Sequence, residues 1–406
     1  MNILFLTMLR VDSFSCRNLY TDLMREFIKK GHKVTVLCPL ERRYGTKEKC
    51  IEEVGNRIIQ IPTGNLFQTT LIEKGISTLL LETAFINAVK RRIGKKSVDL
   101  VIYSTPPITF ARVIQYIKKN NGAASYLLLK DIFPQNAVDL KMFSKKSLLH
   151  WFFRRKEKKL YQFSDYIGCM SDKNREYLLA NNRELSRKNI EVCPNTITVD
   201  SECSISTEEK QAFREQLNNA LGIPKDAVVF LYGGNFGKPQ GVEYIIKCLD
   251  AYRDRKDIFF LLCGKGTEYS KIDTWIKENA VKNTYLISWL EQEKYKLLSQ
   301  CCDVGLIFLN KDFTIPNFPS RLLSYLEAGI PVLAATDKNT DIGQVITEGG
   351  FGFWCESCKV EDFREEVGKL LKDTESRREM GIRARKFLED NWTSEKAYEI
   401  IMKHFE

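Results

Sequence analysis

The stretch Phe313 to Val332 reads FTIPNFPSRLLSYLEAGIPV, and it predicts a loop, a short helix and a buried strand in that order. Pro316 and Pro319 favour the loop. Ser320 stands where a helix N-cap is expected. Three leucines recur at helical spacing and define one predicted buried face: Leu322, Leu323 and Leu326. Gly329 ends the helix, and the apolar run from Val332 predicts the strand.

A loop that leads into a helix N-terminus makes an anion site, because free backbone N–H groups and the helix dipole both point at the ligand. Glu327 lies two turns into the predicted helix, where its carboxylate is placed to accept hydrogen bonds from ribose hydroxyls. The stretch therefore predicts a phosphate end and a ribose end on one helix. Taken alone, it fits an ordinary packed amphipathic helix equally well.

The chain has 406 residues, which is long for one hydrophobic core, so we expect two domains. Predicted strands alternate with helices from Met1 onwards, and the same pattern restarts at Val228 after a polar segment. We expect a Rossmann-like domain over residues 1–198, a linker over 199–210, and a second Rossmann-like domain over 211–385. A C-terminal helix over 386–406 is expected to cross back to the first domain.

The composition is that of a globular protein, with 44% hydrophobic and 28% charged residues. No apolar run is long enough to span a bilayer, and the first strand begins too close to Met1 for a signal peptide. Twelve cysteines in such a chain indicate reduced thiols and a cytosolic protein. One C-x-x-C, Cys355 to Cys358, and three scattered histidines argue against a metal site.

The positive charge of the chain is concentrated in its first half. Residues 1–200 hold 34 of the 62 Lys and Arg residues but only 19 of the 52 Asp and Glu residues. This asymmetry is typical of a surface that faces a membrane or a nucleic acid. In residues 145–161 the bases alternate with aromatic and leucine side chains, which favours an anionic membrane. No nucleic-acid-binding module accompanies them, and a packed helix with a basic outer face is the alternative.

A glycine-rich turn, Gly233 to Gly241, follows the strand predicted over Val228–Tyr232 and precedes a predicted helix. Such a turn lets backbone N–H groups approach a diphosphate closely. It is no Walker A loop, because Pro239 follows Lys238. Further strands are predicted to end at Gly264, before Leu290, and before the Phe313 stretch, so several strand ends converge on one crevice.

In the first half, Lys130 and Asp131 follow a predicted strand at its carboxyl end, where open α/β sheets bind ligands. They are candidates for contacting a donor or an acceptor. A salt-bridged loop is an equally good interpretation of this pair.

The ordered set of motifs resembles the retaining glycosyltransferases of family 4, which have the GT-B fold. Five segments carry the resemblance: GHKV at Gly31–Val34, PN at Pro194–Asn195, the turn Gly233–Gly241, DVGL at Asp303–Leu306, and LEAGIPV at Leu326–Val332. The resemblance implies two Rossmann-like domains facing across a cleft, with the acceptor in the first and a nucleotide-sugar donor in the second. The sequence is similar to a bacterial branch that includes N-acetyl-L-fucosamine transferases of O-antigen, capsule and colanic-acid assembly.

The resemblance also assigns roles to residues. The family's E-x7-E pair needs acids at 319 and 327, and Pro319 takes the first place, so Glu327 is the implied ribose ligand. Backbone groups of Thr314 to Ser320 would hold a deoxy amino sugar. The implied catalytic residues are Lys130, Asp131 and Arg321. The implied donor-binding residues are Gly233, Gly234, Asn235, Gly237, Lys238, Gln240, Gly264, Leu290, Pro319, Ser320, Arg321 and Glu327.

The donor implied by the resemblance is a UDP-sugar, bound as a substrate without a metal or other cofactor. The implied acceptor is a glycan or a polyprenyl-diphosphate-linked sugar, met at the inner face of the cytoplasmic membrane. Two alternatives share the fold: a sugar-nucleotide 2-epimerase, and a catalytically inactive partner subunit that binds a nucleotide sugar.

Overall fold

The computed structural model describes residues 1–185, 190–199 and 206–405. They form two compact units: unit 1 combines Met1–Thr198 with Ser394–Glu406, and unit 2 comprises Val199–Thr393. Of the linker predicted over 199–210, residues 200–205 lie outside the described residues, and 207–210 belong to a helix. Both units are Rossmann-like α/β domains, each built on its own mainly parallel sheet, as the sequence predicts.

Unit 1 contains an eight-stranded sheet. Its strands are β1 (Asn2–Leu6), β2 (Lys33–Glu41), β3 (Lys49–Glu53), β4 (Asn56–Thr63), β5 (Leu100–Ser104), β6 (Ala124–Leu129), β7 (Tyr166–Cys169) and β8 (Ile190–Val192). Its first six helices are α1 (Leu19–Lys29), α2 (Leu71–Arg92), α3 (Ala111–Asn121), α4 (Gln135–Asp139), α5 (Leu148–Phe163) and α6 (Asp172–Asn181). The strand order is β3-β4-β2-β1-β5-β6-β7-β8, and β3 alone among these strands is antiparallel to its neighbour.

Unit 2 contains a six-stranded sheet in which all neighbouring strands are parallel. Its strands are β9 (Val228–Gly233), β10 (Ile258–Cys263), β11 (Thr284–Ile287), β12 (Val304–Phe308), β13 (Val332–Thr336) and β14 (Gly352–Glu356). Its helices are α7 (Thr207–Leu221), α8 (Val242–Asp250), α9 (Tyr269–Glu278), α10 (Gln292–Gln300), α11 (Arg321–Ala328), α12 (Ile342–Glu348), α13 (Val360–Lys372) and α14 (Thr374–Asn391).

The strand order of unit 2, β11-β10-β9-β12-β13-β14, reverses direction between β9 and β12. Both of these strands are buried along their whole length, which is typical of parallel strands covered on both faces. Ligands of such sheets bind at the carboxyl ends of the strands where the order reverses. The topology therefore places the candidate site at the ends of β9 and β12.

The chain ends in two helices instead of the single helix predicted over residues 386–406. Helix α14 belongs to unit 2, and α15 (Ser394–Met402) belongs to unit 1. The break follows from buried Trp392, whose ring packs 4.8 Å from that of Phe387 within unit 2. In unit 1, the ring of Tyr398 on α15 packs 4.9 Å from that of Phe27 on α1.

Candidate active site

The loop after β9 and the loop after β10 touch backbone to backbone. The amide of Gly234 donates to the carbonyl of Cys263 at 2.8 Å, and the amide of Phe236 donates to that of Lys265, also at 2.8 Å. A Cβ atom added at Gly264 would lie 1.7 Å from the carbonyl oxygen of Gly234. Glycine at position 264 is therefore required for this close approach, which fixes the course of the Gly233–Gly241 turn.

The side chain of Gln240 makes hydrogen bonds within the Gly233–Gly241 turn. Its Oε1 accepts hydrogen bonds from the amide of Gly237 at 3.1 Å and from Nδ2 of Asn235 at 3.3 Å. The side chain of Lys238 is exposed, and its carbonyl accepts from Nδ2 of Asn310 at 3.0 Å. Gln240 thus orders the turn, and Asn310 ties it to the loop that follows β12.

Arg321, the first residue of α11, reaches into this turn. Its Cζ lies 4.4 Å from the centre of the Tyr232 ring, and a Cβ atom at Gly234 would come within 2.9 Å of it. Within the described part of the chain, its Nη1 is buried and has no hydrogen-bond partner. Buried donors are nearly always satisfied, so a cation held here with an unused donor fits an anionic ligand. Guanidinium geometry suits phosphate oxygens in particular.

Three tyrosines from three elements surround the guanidinium of Arg321. The hydroxyl of Tyr325 accepts from the amide of Gly233 at 3.1 Å and donates to the carbonyl of Leu306 at 3.0 Å. The hydroxyl of Tyr232 donates to the carbonyl of Asn235 at 2.7 Å. Tyr295 lies so close that a Cβ atom at Gly233 would meet its Oη at 1.8 Å.

These tyrosines remain neutral beside Arg321. Burial raises the pKa of Tyr325 to about 12, although the nearby guanidinium lowers it. Burial likewise raises the pKa values of Tyr232 and Tyr295. Sequence reasoning missed all three tyrosines. The one available signal was the spacing of Tyr325, four residues beyond Arg321 and therefore on the same helix face.

Ser320 does not cap α11 as predicted. Its φ of −65° and ψ of −17° are already helical, and its side chain makes no capping hydrogen bond within the described structure. A capping side chain reaches the helix amides from an extended backbone, so the prediction was wrong for a conformational reason. Pro319 contributes its carbonyl, which accepts from the amide of Leu322 at 3.3 Å.

Glu327 lies away from Arg321. Six residues of helix separate the two side chains by about 9 Å along the axis and by about 120° around it. Oε1 of Glu327 lies 3.6 Å from Nζ of Lys296 on α10, and its carbonyl accepts from Nη1 of Arg385 on α14. The structure therefore gives Glu327 a contact with α10 and does not bring its carboxylate to the guanidinium.

Leu290 follows β11 and is half-buried. Its loop adjoins the Gly264 turn, because the amide of Gly264 donates to the carbonyl of Ile287 at 2.9 Å. The neighbouring Trp289 is 60% exposed, with Nζ of Lys265 lying 5.7 Å from its ring centre.

In unit 1, the side chains of the adjacent residues Lys130 and Asp131 have different hydrogen-bond partners. Nζ of Lys130 donates to the carbonyl of Pro194 at 3.3 Å, and burial lowers the pKa of this amine. Both carboxylate oxygens of Asp131 lie 2.8 Å from Nδ2 of Asn136. Burial raises the pKa of Asp131 to about 6, so this carboxyl changes charge near neutral pH. In the described part of the chain, Lys130 and Asp131 do not form the salt bridge that the alternative interpretation requires.

Comparisons with known proteins agree with this architecture. Residues 213–387 match the family model described as glycosyl transferases group 1. WbjE of Pseudomonas aeruginosa, named as a probable glycosyltransferase, is 24% identical over 306 residues, which cover 74% of this chain and 72% of that protein. WcaI of Escherichia coli K12, named for colanic acid biosynthesis, is 24% identical over 32% of each chain.

The structure of HepE from Anabaena, solved in complex with UDP and glucose, superposes with a TM-score of 0.72. The alignment covers 100% of this chain and 99% of that one, at 13% sequence identity. The fold is therefore that of the GT-B glycosyltransferases. Residues 213–387 are thus similar to the group 1 glycosyl transferases, and the relatives of the chain include bacterial proteins named as glycosyltransferases.

Proposed function

We propose that this protein transfers a sugar from a UDP-sugar to a glycan or a polyprenyl-diphosphate-linked acceptor. The observation that carries the proposal is the buried guanidinium of Arg321, whose Nη1 has an unused donor beside the Gly233–Gly241 turn. A diphosphate carries negatively charged oxygens, which accept hydrogen bonds both from a guanidinium and from the backbone amides of such a turn. The UDP bound to HepE supports the base, and the colanic-acid role in the name of WcaI supports bacterial capsule, O-antigen or exopolysaccharide synthesis.

In the proposed mechanism, negative charge develops on the departing diphosphate and is stabilised by Arg321. Guanidinium cannot lose its proton in a protein, and the neutral tyrosines around it do not compete for its charge. Backbone amides at Gly234, at Asn235 and at the start of α11 add fixed dipoles, which act most strongly in a site without water. The protein thus supplies the positive charge that stabilises the leaving diphosphate, and we propose that no metal is needed.

We further propose that the anomeric configuration is retained. If a leaving phosphate oxygen takes the proton of the acceptor hydroxyl, the reaction needs no protein nucleophile and no pair of glycosidase-like carboxylates. Asp131 is then free for another task, which is to accept a hydrogen bond from a neighbouring, non-reacting hydroxyl of the acceptor and so orient the acceptor. Lys130 fixes the loop carrying Asp131 through its hydrogen bond to Pro194.

A thermal-shift screen with UDP, GDP, dTDP and ADP in the presence of EDTA tests the donor. At about one hundred times its dissociation constant, a ligand adds about 2.7 kcal/mol to the free energy of unfolding. UDP is therefore expected to raise the melting temperature by about 5 °C or more, and the other nucleotides to do less. A shift that requires Mn²⁺, or none with any nucleotide, would contradict the proposed site.

The epimerase alternative predicts a different product. Incubation with UDP-GlcNAc in the absence of any acceptor should release ManNAc from an epimerase and leave the sugar unchanged with a transferase. An inactive partner subunit would show the UDP shift with no turnover on any acceptor.

The variant Tyr325→Phe is expected to unfold about 4–8 °C below the wild type and to bind UDP more weakly. It removes the hydroxyl that pairs with the amide of Gly233 and the carbonyl of Leu306, which leaves buried groups unsatisfied at a cost of about 2 kcal/mol. Calorimetric unfolding and UDP titration measure both effects.

The control is Tyr252→Phe. The hydroxyl of Tyr252 donates a long hydrogen bond, 3.4 Å, to the carbonyl of Arg364, and neither residue belongs to the Gly233–Gly241 turn. If the two phenylalanine variants bound UDP alike, Tyr325 would have no part in positioning the turn.

A lipid-linked acceptor would bring the protein to the inner face of the cytoplasmic membrane. We therefore include a peripheral contact with anionic lipid in the proposed function. The excess of basic residues in residues 1–200 supports this contact.

A further inference from the structure

Two helices of unit 1 expose large apolar side chains. On α2 they are Ile72, Ile76, Leu79 and Leu80, and on α5 they are Leu148, Leu149, Trp151 and Phe152. Ile72 is 77% exposed, Leu80 62%, Leu148 86% and Trp151 60%. Isolated exposed apolar residues are ordinary, but a contiguous set marks an interaction surface. We call these eight residues the α2–α5 face.

The two sets are neighbours in space. Both helices connect parallel strands and run back along the sheet, so each begins near its carboxyl edge. Nζ of Lys156 on α5 pairs with Oε2 of Glu82 on α2 at 2.9 Å, and the amide of Arg112 on α3 donates to Oε1 of Glu82. This ion pair links the two helices, which both pack against the short turn Ile108–Phe110 and against α3. In both of them, the exposed apolar residues occupy the turns that precede the ion pair.

The outward stripe of α2 has helical spacing of its own. Ile72, Ile76, Leu79 and Leu80 recur at intervals of three and four residues, so they share one side of the helix. The opposite side buries Leu81 and Phe85 in the core of unit 1. Helix α2 is therefore apolar on two sides, and core packing accounts for one of them.

The charges around the face are almost all positive. The three acids of α2 and α5 are each paired: Glu73 with Arg42 at 3.0 Å, Glu82 with Lys156, and Glu157 with Arg154. The exposed bases on or beside the two helices include Lys74, Lys145, Lys146, Arg155 and Lys159. Leucine, isoleucine and tryptophan flanked by such bases match the boundary between headgroups and acyl chains of an anionic bilayer.

We propose that the α2–α5 face is the surface by which unit 1 binds an anionic membrane. The apolar side chains would enter the acyl boundary, and the bases would contact lipid phosphates. A second copy is a poorer occupant, because a two-fold contact would set the same positive face against itself. No helix in the described part of the chain is long and apolar enough to cross a bilayer, so the contact proposed is with one leaflet.

Sedimentation of the full chain with vesicles tests this proposal. Vesicles of phosphatidylcholine with phosphatidylglycerol should bind the protein, and vesicles of phosphatidylcholine alone should bind it weakly. The double variants Ile76→Ser/Leu80→Ser and Leu148→Ser/Trp151→Ser should each weaken binding at least about tenfold, because each removes apolar surface that the bilayer buries. Salt should weaken the wild-type binding as it screens the bases.

Ile382→Ser is the matched control, since Ile382 is 59% exposed on α14 of unit 2. It should bind vesicles as the wild type does. The UDP-induced thermal shift should be unchanged in every variant, which shows that each is folded and separates this test from that of the sugar-transfer site. The proposal is overturned if the α2 variant binds like the wild type, if lipid charge has no effect, or if the variants instead abolish a dimer seen by sedimentation velocity.

Discussion

The variant Arg321→Met is expected to lose about a thousandfold in kcat/KM and, at the same time, to unfold at a higher temperature than the wild type. The loss follows because one preorganised donor to a developing charge contributes a factor of about 10² to 10³, and here the donor also binds the ground-state diphosphate. The UDP-induced thermal shift should disappear with it. Steady-state kinetics and thermal unfolding with and without UDP measure both effects.

The gain in stability follows from the same geometry. Among the residues that the structure describes, Nη1 of Arg321 is buried without a hydrogen-bond partner, which costs about 1–3 kcal/mol, and a methionine of similar length would fill the space without that penalty. We expect a rise in the melting temperature of about 2–4 °C. Function and stability thus oppose each other at this residue, as they do where a site is built for an absent ligand.

Arg214→Met is the matched control. Nη2 of Arg214 pairs with Asp303 at 3.0 Å and with the carbonyl of Ala227 at 3.0 Å, so this guanidinium serves the fold of unit 2. Its loss should lower the melting temperature and leave the UDP shift intact. If Arg321→Met destabilised the protein as Arg214→Met does and kept its UDP shift, Arg321 would be a structural residue.

The sequence predicted most of the sheets because buried parallel strands are short apolar runs. Strand β9 begins at Val228 as predicted and ends one residue beyond the predicted Tyr232, and β13 begins at Val332 as predicted. Two strands were missed for physical reasons. Strand β3 (KCIEE) is the polar outer partner of a hairpin, and β14 (GFWCE) begins at a glycine and is only partly buried.

The candidate site could be predicted only where its residues are close in sequence. The Gly233–Gly241 turn and Arg321 were found from local spacing, since glycines before a helix and a base at a helix start are local signals. The tyrosine cluster was invisible, because Tyr232, Tyr295 and Tyr325 come together only through the parallel order of β9 and β12. Glu327 was assigned to the ribose by its position in the motif, two turns from the phosphate end, and this role stays a prediction.

Asp131 poses the same conflict between function and stability in unit 1. The variant Asp131→Asn is expected to lose about a hundredfold or more in kcat, because an amide accepts a hydrogen bond from a neighbouring hydroxyl of the acceptor less well than a carboxylate and so orients the acceptor less well. The UDP-induced thermal shift should persist, since Asp131 lies in unit 1. In the wild type, activity should fall on acidification through about pH 6, where this carboxyl gains its proton, and the residual activity of the variant should lack that limb.

The pH dependence of stability has a definite sign. Burial raises the pKa of Asp131 from 3.8 to about 6, so the folded state binds the proton more tightly than the unfolded state. The native state is therefore favoured fully below about pH 4, and this contribution is lost as the pH rises through about 6. The loss amounts to at most about 3 kcal/mol. Asp131→Asn should accordingly melt higher than the wild type at pH 8 and close to it at pH 4.

Asp165→Asn separates this effect from the loss of any other hydrogen-bonded carboxylate of unit 1. Asp165 accepts from Nζ of Lys118 at 2.6 Å and from the amide of Ser125 at 2.9 Å, so its charge is balanced by the fold. That variant should melt lower than the wild type at pH 8 and keep the acidic limb of activity. If Asp131→Asn also melted lower at pH 8 and kept the limb near pH 6, the carboxyl of Asp131 would be structural, and the group that orients the acceptor would lie elsewhere.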